Sequence, residues 1–267
     1  HFLLKEIMEQ PDSLRETLRG RVNVKDHTVH LGGPNLSIQE LKSIRHLILV
    51  GCGTAYYAAN TAAYLIEQFL PNVTIEPVIA SEYRYRHAYI PEYSVALIIS
   101  QSGETADTLA CLREIKSQGT KTIGIVNAIG STIAREVDGG TYVHAGPEIS
   151  VASTKAFTSQ VAALLMFGLT IAEAKGVNSR LIAPIVDEIA ILPDEIAKIL
   201  AENKQSLASL TQKYKTYDHA IYLGRDVNFP IALEGALKLK EISYIDANAY
   251  PTGELKHGPI ALIDDRF

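Results

Sequence analysis

The 267-residue chain has only two cysteines, Cys52 and Cys111. Two cannot form a disulfide framework in a chain this size, so a reducing compartment, the cytoplasm, is expected. Positive charge is not in surplus: 25 Lys and Arg stand against 30 Asp and Glu, a net charge of −5. No Lys/Arg cluster marks a nucleic-acid groove, so nucleic acid is not an expected partner, and an anionic small substrate would need a local site. No apolar run approaches the roughly 18 residues of a membrane span. The longest, such as His46-Leu47-Ile48-Leu49-Val50, have buried-strand length, and no membrane partner is expected. The opening residues have no signal-peptide layout and no initiator Met, so the chain is expected to start inside a longer polypeptide. The eight histidines contain no H-x-x-x-H pair and the cysteines are far apart, so neither metal nor other cofactor is expected. The absence of a G-x-S-x-G elbow argues against a Ser-His-Asp hydrolase.

What is present is ordinary globular composition, 47% hydrophobic and 21% charged, in a length fit for one large or two ordinary domains. Short β-rich apolar runs at 47–50, 73–79, 95–100, 122–126 and 141–144 alternate with helical patterns at 55–69, 81–87, 105–118 and 131–137. Strands apolar on both faces, alternating with helices, predict a parallel sheet covered on both sides. From about 153 to 213 strand signals vanish: a long apolar helix over 155–174 is followed by two or three amphipathic helices. Strand character resumes at 220–225, followed by a helix over 230–245, a Gly/Pro-bounded loop over 251–259 and a strand opening at Ala261-Leu262-Ile263. The expected fold class is therefore α/β. A doubly wound parallel-sheet domain, an αβα sandwich, covers 1–176 with its helical lead-in. A helical connector covers 177–217, and the incomplete start of a second such domain covers 218–267.

The sharpest chemical segment is Ser100-Gln101-Ser102-Gly103-Glu104-Thr105, closing an apolar strand and opening a helix. Ligands bind at the carboxyl ends of parallel strands, and a glycine turn into a helix N-terminus aims N–H groups at an anion. Either this is a phosphate loop rich in hydroxyls, or Ser102 or Thr105 simply caps the helix. No Gly-Lys-Ser/Thr follows, which argues against nucleotide. Cys52-Gly53-Thr54 ends the first strand in the equivalent position. There Cys52 reads as a buried residue of a tight turn, and Thr54 as the better ligand contact. A third polar turn, Val151-Ala152-Ser153-Thr154-Lys155, precedes the long helix. On the helix around 233–241, Glu234, Lys238 and Glu241 share one face at i, i+4 and i+7. They form either a solvated ion-pair stripe or a proton-transfer cluster. Gly235 between them points to close packing or to a ligand near the backbone. His257 sits in the loop bounded by Gly253 and Pro259 and is open to either a structural or a functional reading.

Together with Lys5-Glu6-Ile7-Met8-Glu9-Gln10-Pro11 and Ser81-Glu82-Tyr83-Arg84-Tyr85-Arg86, these segments resemble the isomerase half of the glutamine–fructose-6-phosphate aminotransferase family. That half is two sugar-isomerase (SIS) domains in tandem, and the matching pieces span the chain in the family's order. The resemblance implies binding of fructose 6-phosphate and glucosamine 6-phosphate, a glutaminase domain as covalent partner, and a homodimer. It implies that Thr54, Ser100, Gln101, Ser102 and Thr105 hold the phosphate while Val151 and Ser153 line the sugar. Glu241 would move a proton between C1 and C2, with Lys238 assisting at the sugar oxygens. Glu234 would support the site, and His257 would open the sugar ring from the neighbouring subunit. Where many members carry Ser after the Cys-Gly-Thr turn, this chain has Ala55, which removes one hydroxyl. The family's catalytic C-terminal tail, with its Schiff-base lysine, would lie beyond Phe267. Two other readings stand beside this one: a deglycase or deaminase acting on amino-sugar phosphates, and a non-catalytic module that senses a sugar phosphate.

Overall fold

In a computed structural model describing residues 1–264, the apolar runs become strands because both their faces are covered. The elements follow in order as α1 (Phe2–Met8), α2 (Gln10–Leu18), β1 (Val22–Asn23), β2 (Thr28–Val29), α3 (Ile38–Ser43), β3 (His46–Gly51), α4 (Thr54–Glu67), β4 (Thr74–Ile79), α5 (Ala80–Tyr83), β5 (Ser94–Ser100), α6 (Ala106–Ser117), β6 (Lys121–Val126), α7 (Thr132–Glu136) and β7 (Gly139–Tyr142). Strands β3 to β7 form one parallel sheet in the order β4-β3-β5-β6-β7, with Val50 opposite Ile98 and Ser100 opposite Val126. Alternate side chains feed two cores. Leu47, Leu49, Leu97, Ile99 and Ile125 pack under α4 and α8 (Lys155–Ala174) on one face. Ile48, Val50, Ala96 and Ile98 meet Tyr83, Cys111, Leu112, Ile115 and Ile133 on the other. The doubly wound expectation holds.

Helix α8 is long and apolar enough to cross a membrane by length and composition, but most of it is buried against the sheet and α4 as a core helix. After it comes a single helix, α9 (Ser179–Tyr214), rather than the two or three expected. It runs through Pro184 and Pro193 because Ile182, Val186, Ile189 and Pro193 recur at helical spacing and bury one continuous stripe. Its last turns, about four of them, from Ala201 to Tyr214, are exposed.

The second α/β unit consists of β8 (His219–Gly224), α10 (Asn228–Ser243) and β9 (Asp246–Pro251), with β8 and β9 parallel and Gly224 opposite Pro251. One sequence expectation fails here, and one strand is unforeseen. The strand expected at Ala261-Leu262-Ile263 is instead a 3₁₀ turn, Pro259–Leu262. Gly258 enters it at φ 128°, and Pro259 has no N–H to donate to a ladder. The strand that pairs with β8 is β9, concealed by Asp246 and Asn248, residue types poor in strands. Helix α10 packs on α4, which brings the second unit to the mouth of the first sheet.

Candidate active site

The strand order reverses between β3 and β5: the chain leaves β3 for β4 on one side and returns to β5 on the other. In an open parallel sheet such a reversal leaves a crevice at the carboxyl ends of the two central strands. Both sequence-predicted turns open into it. A cleft of about 180 Å³ there is lined by Thr54, Ser100, Gln101, Ser102, Thr105 and Ser153, with Cys52, Ala55, Thr108 and Gln160 completing its wall.

The 100–105 turn is held from within. The Gly103 N–H donates to Ser100 Oγ at 2.9 Å and the Glu104 N–H to Ser102 Oγ at 3.2 Å. Gly103 has φ 65°, and a Cβ there would fall 1.9 Å from Ser131 Oγ, so this turn requires glycine. Thr105 is the N-cap of α6 but makes no side-chain cap bond, so capping does not account for its hydroxyl. That hydroxyl lies 3.4 Å from Ser100 Oγ at the cleft wall. Helix α4 likewise starts without a side-chain cap, at Gly53. Two uncapped helix N-termini and several hydroxyls therefore converge on one small space, an arrangement suited to an anion. Cys52, expected to be buried, is half-buried on the cleft wall, with Thr108 Oγ1 3.6 Å from its Sγ.

Thr54 joins this cleft to the charged cluster of α10. Its hydroxyl donates to Glu234 Oε1 at 3.1 Å and accepts from Lys238 Nζ at 3.0 Å. Lys238 Nζ lies 3.5 Å from Glu234 Oε1 and 2.7 Å from Glu241 Oε2, the latter an ion pair outside hydrogen-bond geometry. The stripe is only partly solvated, with Lys238 and Glu241 half-buried. Glu234 is buried, and burial pushes its carboxyl up to about 7, against the pull of Lys238 and the Thr54 hydroxyl. A carboxyl poised there exchanges protons near neutrality. Gly235 permits the packing beneath: a Cβ would stand 2.9 Å from Tyr222 Cε1 on β8, so close packing rather than a ligand explains it.

The third turn is anchored by carboxylates. Glu6 of α1 accepts from the Ile149 and Ser150 N–H groups at 2.6 and 3.2 Å and from the Ser150 hydroxyl. Burial alone would raise the Glu6 carboxyl, but these bonds hold it below its ordinary value. Glu148 accepts from Ser153 Oγ and the Thr154 N–H, both at 2.8 Å, and Lys155 Nζ reaches Glu9 Oε2 at 2.8 Å. The structure thus brings Ser153 into the cleft, while Val151 is 88% exposed and off its wall. His257 is also exposed and outside the cleft of its own chain. Sequence reasoning missed Gln160 and the Glu6 and Glu148 anchors. Gln160 had a legible signal, as a polar residue on the apolar core stripe of α8. No cluster of three or more metal-ligating side chains occurs among the described residues.

The chain, a doubly wound sheet with a hydroxyl-lined cleft at its switch point, belongs to one known family. The SIS domain family matches residues 40–170 and again 213–266. Among curated relatives, the chain is 49% identical over 265 residues to the glutamine–fructose-6-phosphate aminotransferase (isomerizing) of Chlorobaculum tepidum, and 48% identical over 265 residues to that of Bacteroides thetaiotaomicron. Each match covers 99% of this chain and 43% of the relative, so the chain spans less than half the length of these relatives. Among solved structures, the C-terminal domain of glucosamine-fructose-6-phosphate aminotransferase from Francisella tularensis matches with a TM-score of 0.93 at 41% identity, covering 100% of this chain and 74% of that one. Glucosamine-6-phosphate deaminase from Thermotoga maritima matches with a TM-score of 0.75 at 25% identity, covering 100% and 75%.

Proposed function

We propose that this chain is the sugar-phosphate isomerase part of a longer enzyme that converts fructose 6-phosphate and glutamine-derived ammonia to glucosamine 6-phosphate. The observation that carries the reading is the position of Thr54, shared between a hydroxyl-lined cleft and a Glu-Lys-Glu cluster whose Glu234 is buried. A phosphate on the 100–105 turn sets the sugar carbons within reach of α10. There Glu241 moves the proton between C1 and C2, Lys238 serves the sugar oxygens, and Glu234 holds Lys238 and Thr54 in register. His257 opens the ring from the other subunit of a homodimer, a role its exposure in this chain supports. Val151 borders the sugar from the rim. The division into a first SIS domain over 1–176, a connector over 177–217 and the start of a second SIS domain over 218–267 belongs to the same proposal. So do a glutaminase partner domain and a cytoplasmic location.

The deaminase reading uses the same kind of site in the opposite sense and draws on the Thermotoga match. The identities of 41–49% to proteins named as the aminotransferase favour the synthetic direction. A sensor would need the phosphate turn but not a charged cluster with a buried carboxyl near neutrality. The test is calorimetry on Ser102→Ala. Affinity for fructose 6-phosphate should fall by about tenfold or more, with little change for fructose. Equal losses for both ligands would remove the phosphate from the turn.

A further inference from the structure

One buried side chain on the cleft wall has no hydrogen-bond partner among the described residues. Gln160 is 1% exposed, yet no hydrogen bond reaches its amide, and its Oε1 is fully enclosed. It lies on the stripe of α8 that otherwise buries Ala156, Ala163, Leu164 and Phe167. An unpaired amide costs about 1–3 kcal/mol there, and an apolar residue would pack without that cost. The amide borders the cleft beside Ser153. The proton of Ser153 Oγ is already given to Glu148 Oε2 at 2.8 Å, so Ser153 offers lone pairs only. With that carboxylate one hydrogen bond behind it, the Ser153 hydroxyl disfavours a phosphate and accepts from sugar hydroxyls. The cleft is therefore polarised, with anion-binding donors at the 100–105 turn and hydroxyl-binding groups at the α8 side.

We infer that Gln160 is a specificity-determining ligand contact, whose amide binds a hydroxyl of the sugar chain while the phosphate occupies the turn. This rests on the sugar-phosphate reading of the cleft and adds to it the group that recognises the hydroxylated end. A site built to bond a hydroxyl discriminates strongly against ligands lacking it, because its own buried group is then left unpaired.

The experiment compares fructose 6-phosphate with inorganic phosphate by calorimetry on this chain, together with thermal unfolding without ligand. Gln160→Leu is the main variant, and Gln160→Met a second of similar length and flexibility. Fructose 6-phosphate affinity should fall on the order of ten- to a hundredfold in both, inorganic phosphate affinity should stay the same, and Tm should hold or rise. Retained fructose 6-phosphate affinity in both folded variants would overturn the inference. So would a parallel loss of both ligands with a lowered Tm, the mark of a purely structural amide. Ser102→Ala separates the two levels of the argument. If it weakens fructose 6-phosphate while the Gln160 variants do not, only the role of Gln160 fails. If wild type binds neither ligand, the reading of the cleft fails and takes Gln160 with it.

Discussion

Replacing Glu234 by Gln should change how stability depends on pH, and the structure sets both the sign and the size. The carboxyl stands at about 7 in the folded chain because it is buried, against an ordinary value of 4.5. Between these values the folded state keeps a proton that the unfolded state has lost. The folded state then binds more protons, so the contribution of this group to stability falls as pH rises from 4.5 to 7 and is level above that. At about 1.4 kcal/mol per pH unit, the loss is on the order of 3 kcal/mol, with the pull of Lys238 already included. Gln matches the protonated form in shape and carries no charge at any pH. Urea unfolding of both proteins at several pH values from 5 to 8 gives the difference directly, since the other carboxylates cancel between them. The variant should gain on wild type by about 2–3 kcal/mol across that range. A difference that stays flat with pH would refute the burial penalty, and with it the picture of Glu234 as a proton-exchanging group.

Glu241→Gln in the full-length enzyme should abolish isomerisation while leaving fructose 6-phosphate affinity nearly intact, because the amide keeps the shape but cannot accept a proton; steady-state turnover above a few per cent of wild type would remove Glu241 from the base role. With the site shared in trans across the proposed homodimer, mixing inactive Glu241→Gln with inactive His257→Ala protein under subunit exchange should restore activity, because one site of each mixed dimer then carries neither lesion. A dead mixture, with exchange confirmed independently, would place His257 in its own chain's site.

The first sheet was legible because its strands are buried on both faces, so 47–50 and 95–100 read as unbroken apolar runs ending in Gly51 and Ser100. The 100–105 turn was legible as a candidate site for the same reason: it follows directly from a strand end. The second unit was harder to read. β9 carries Asp246, Asn248 and Pro251 and among the described residues pairs only with β8, so local composition opposes the pairing that β8 imposes. The bond from Thr54 to Glu234 and Lys238 joins residues 180 and 184 positions apart and depends on how α10 packs on α4. No local pattern encodes it. The Glu234–Lys238–Glu241 spacing told which residues share a face, but not that Glu234 on it is buried. The hydrogen bonds of Glu6 to Ile149 and Ser150 are likewise set by the docking of α1, far from the turn in sequence.

The central claim is that a sugar phosphate lies across the cleft with its phosphate on the 100–105 turn and its carbons toward α10. A crystal structure of this chain with fructose 6-phosphate tests it most directly. The account predicts phosphate oxygens about 3 Å from the hydroxyls of Ser100, Ser102 and Thr105, with C1 and C2 facing Glu241. A phosphate bound anywhere else, or a ligand reversed so that its hydroxyls meet the 100–105 turn, would contradict it.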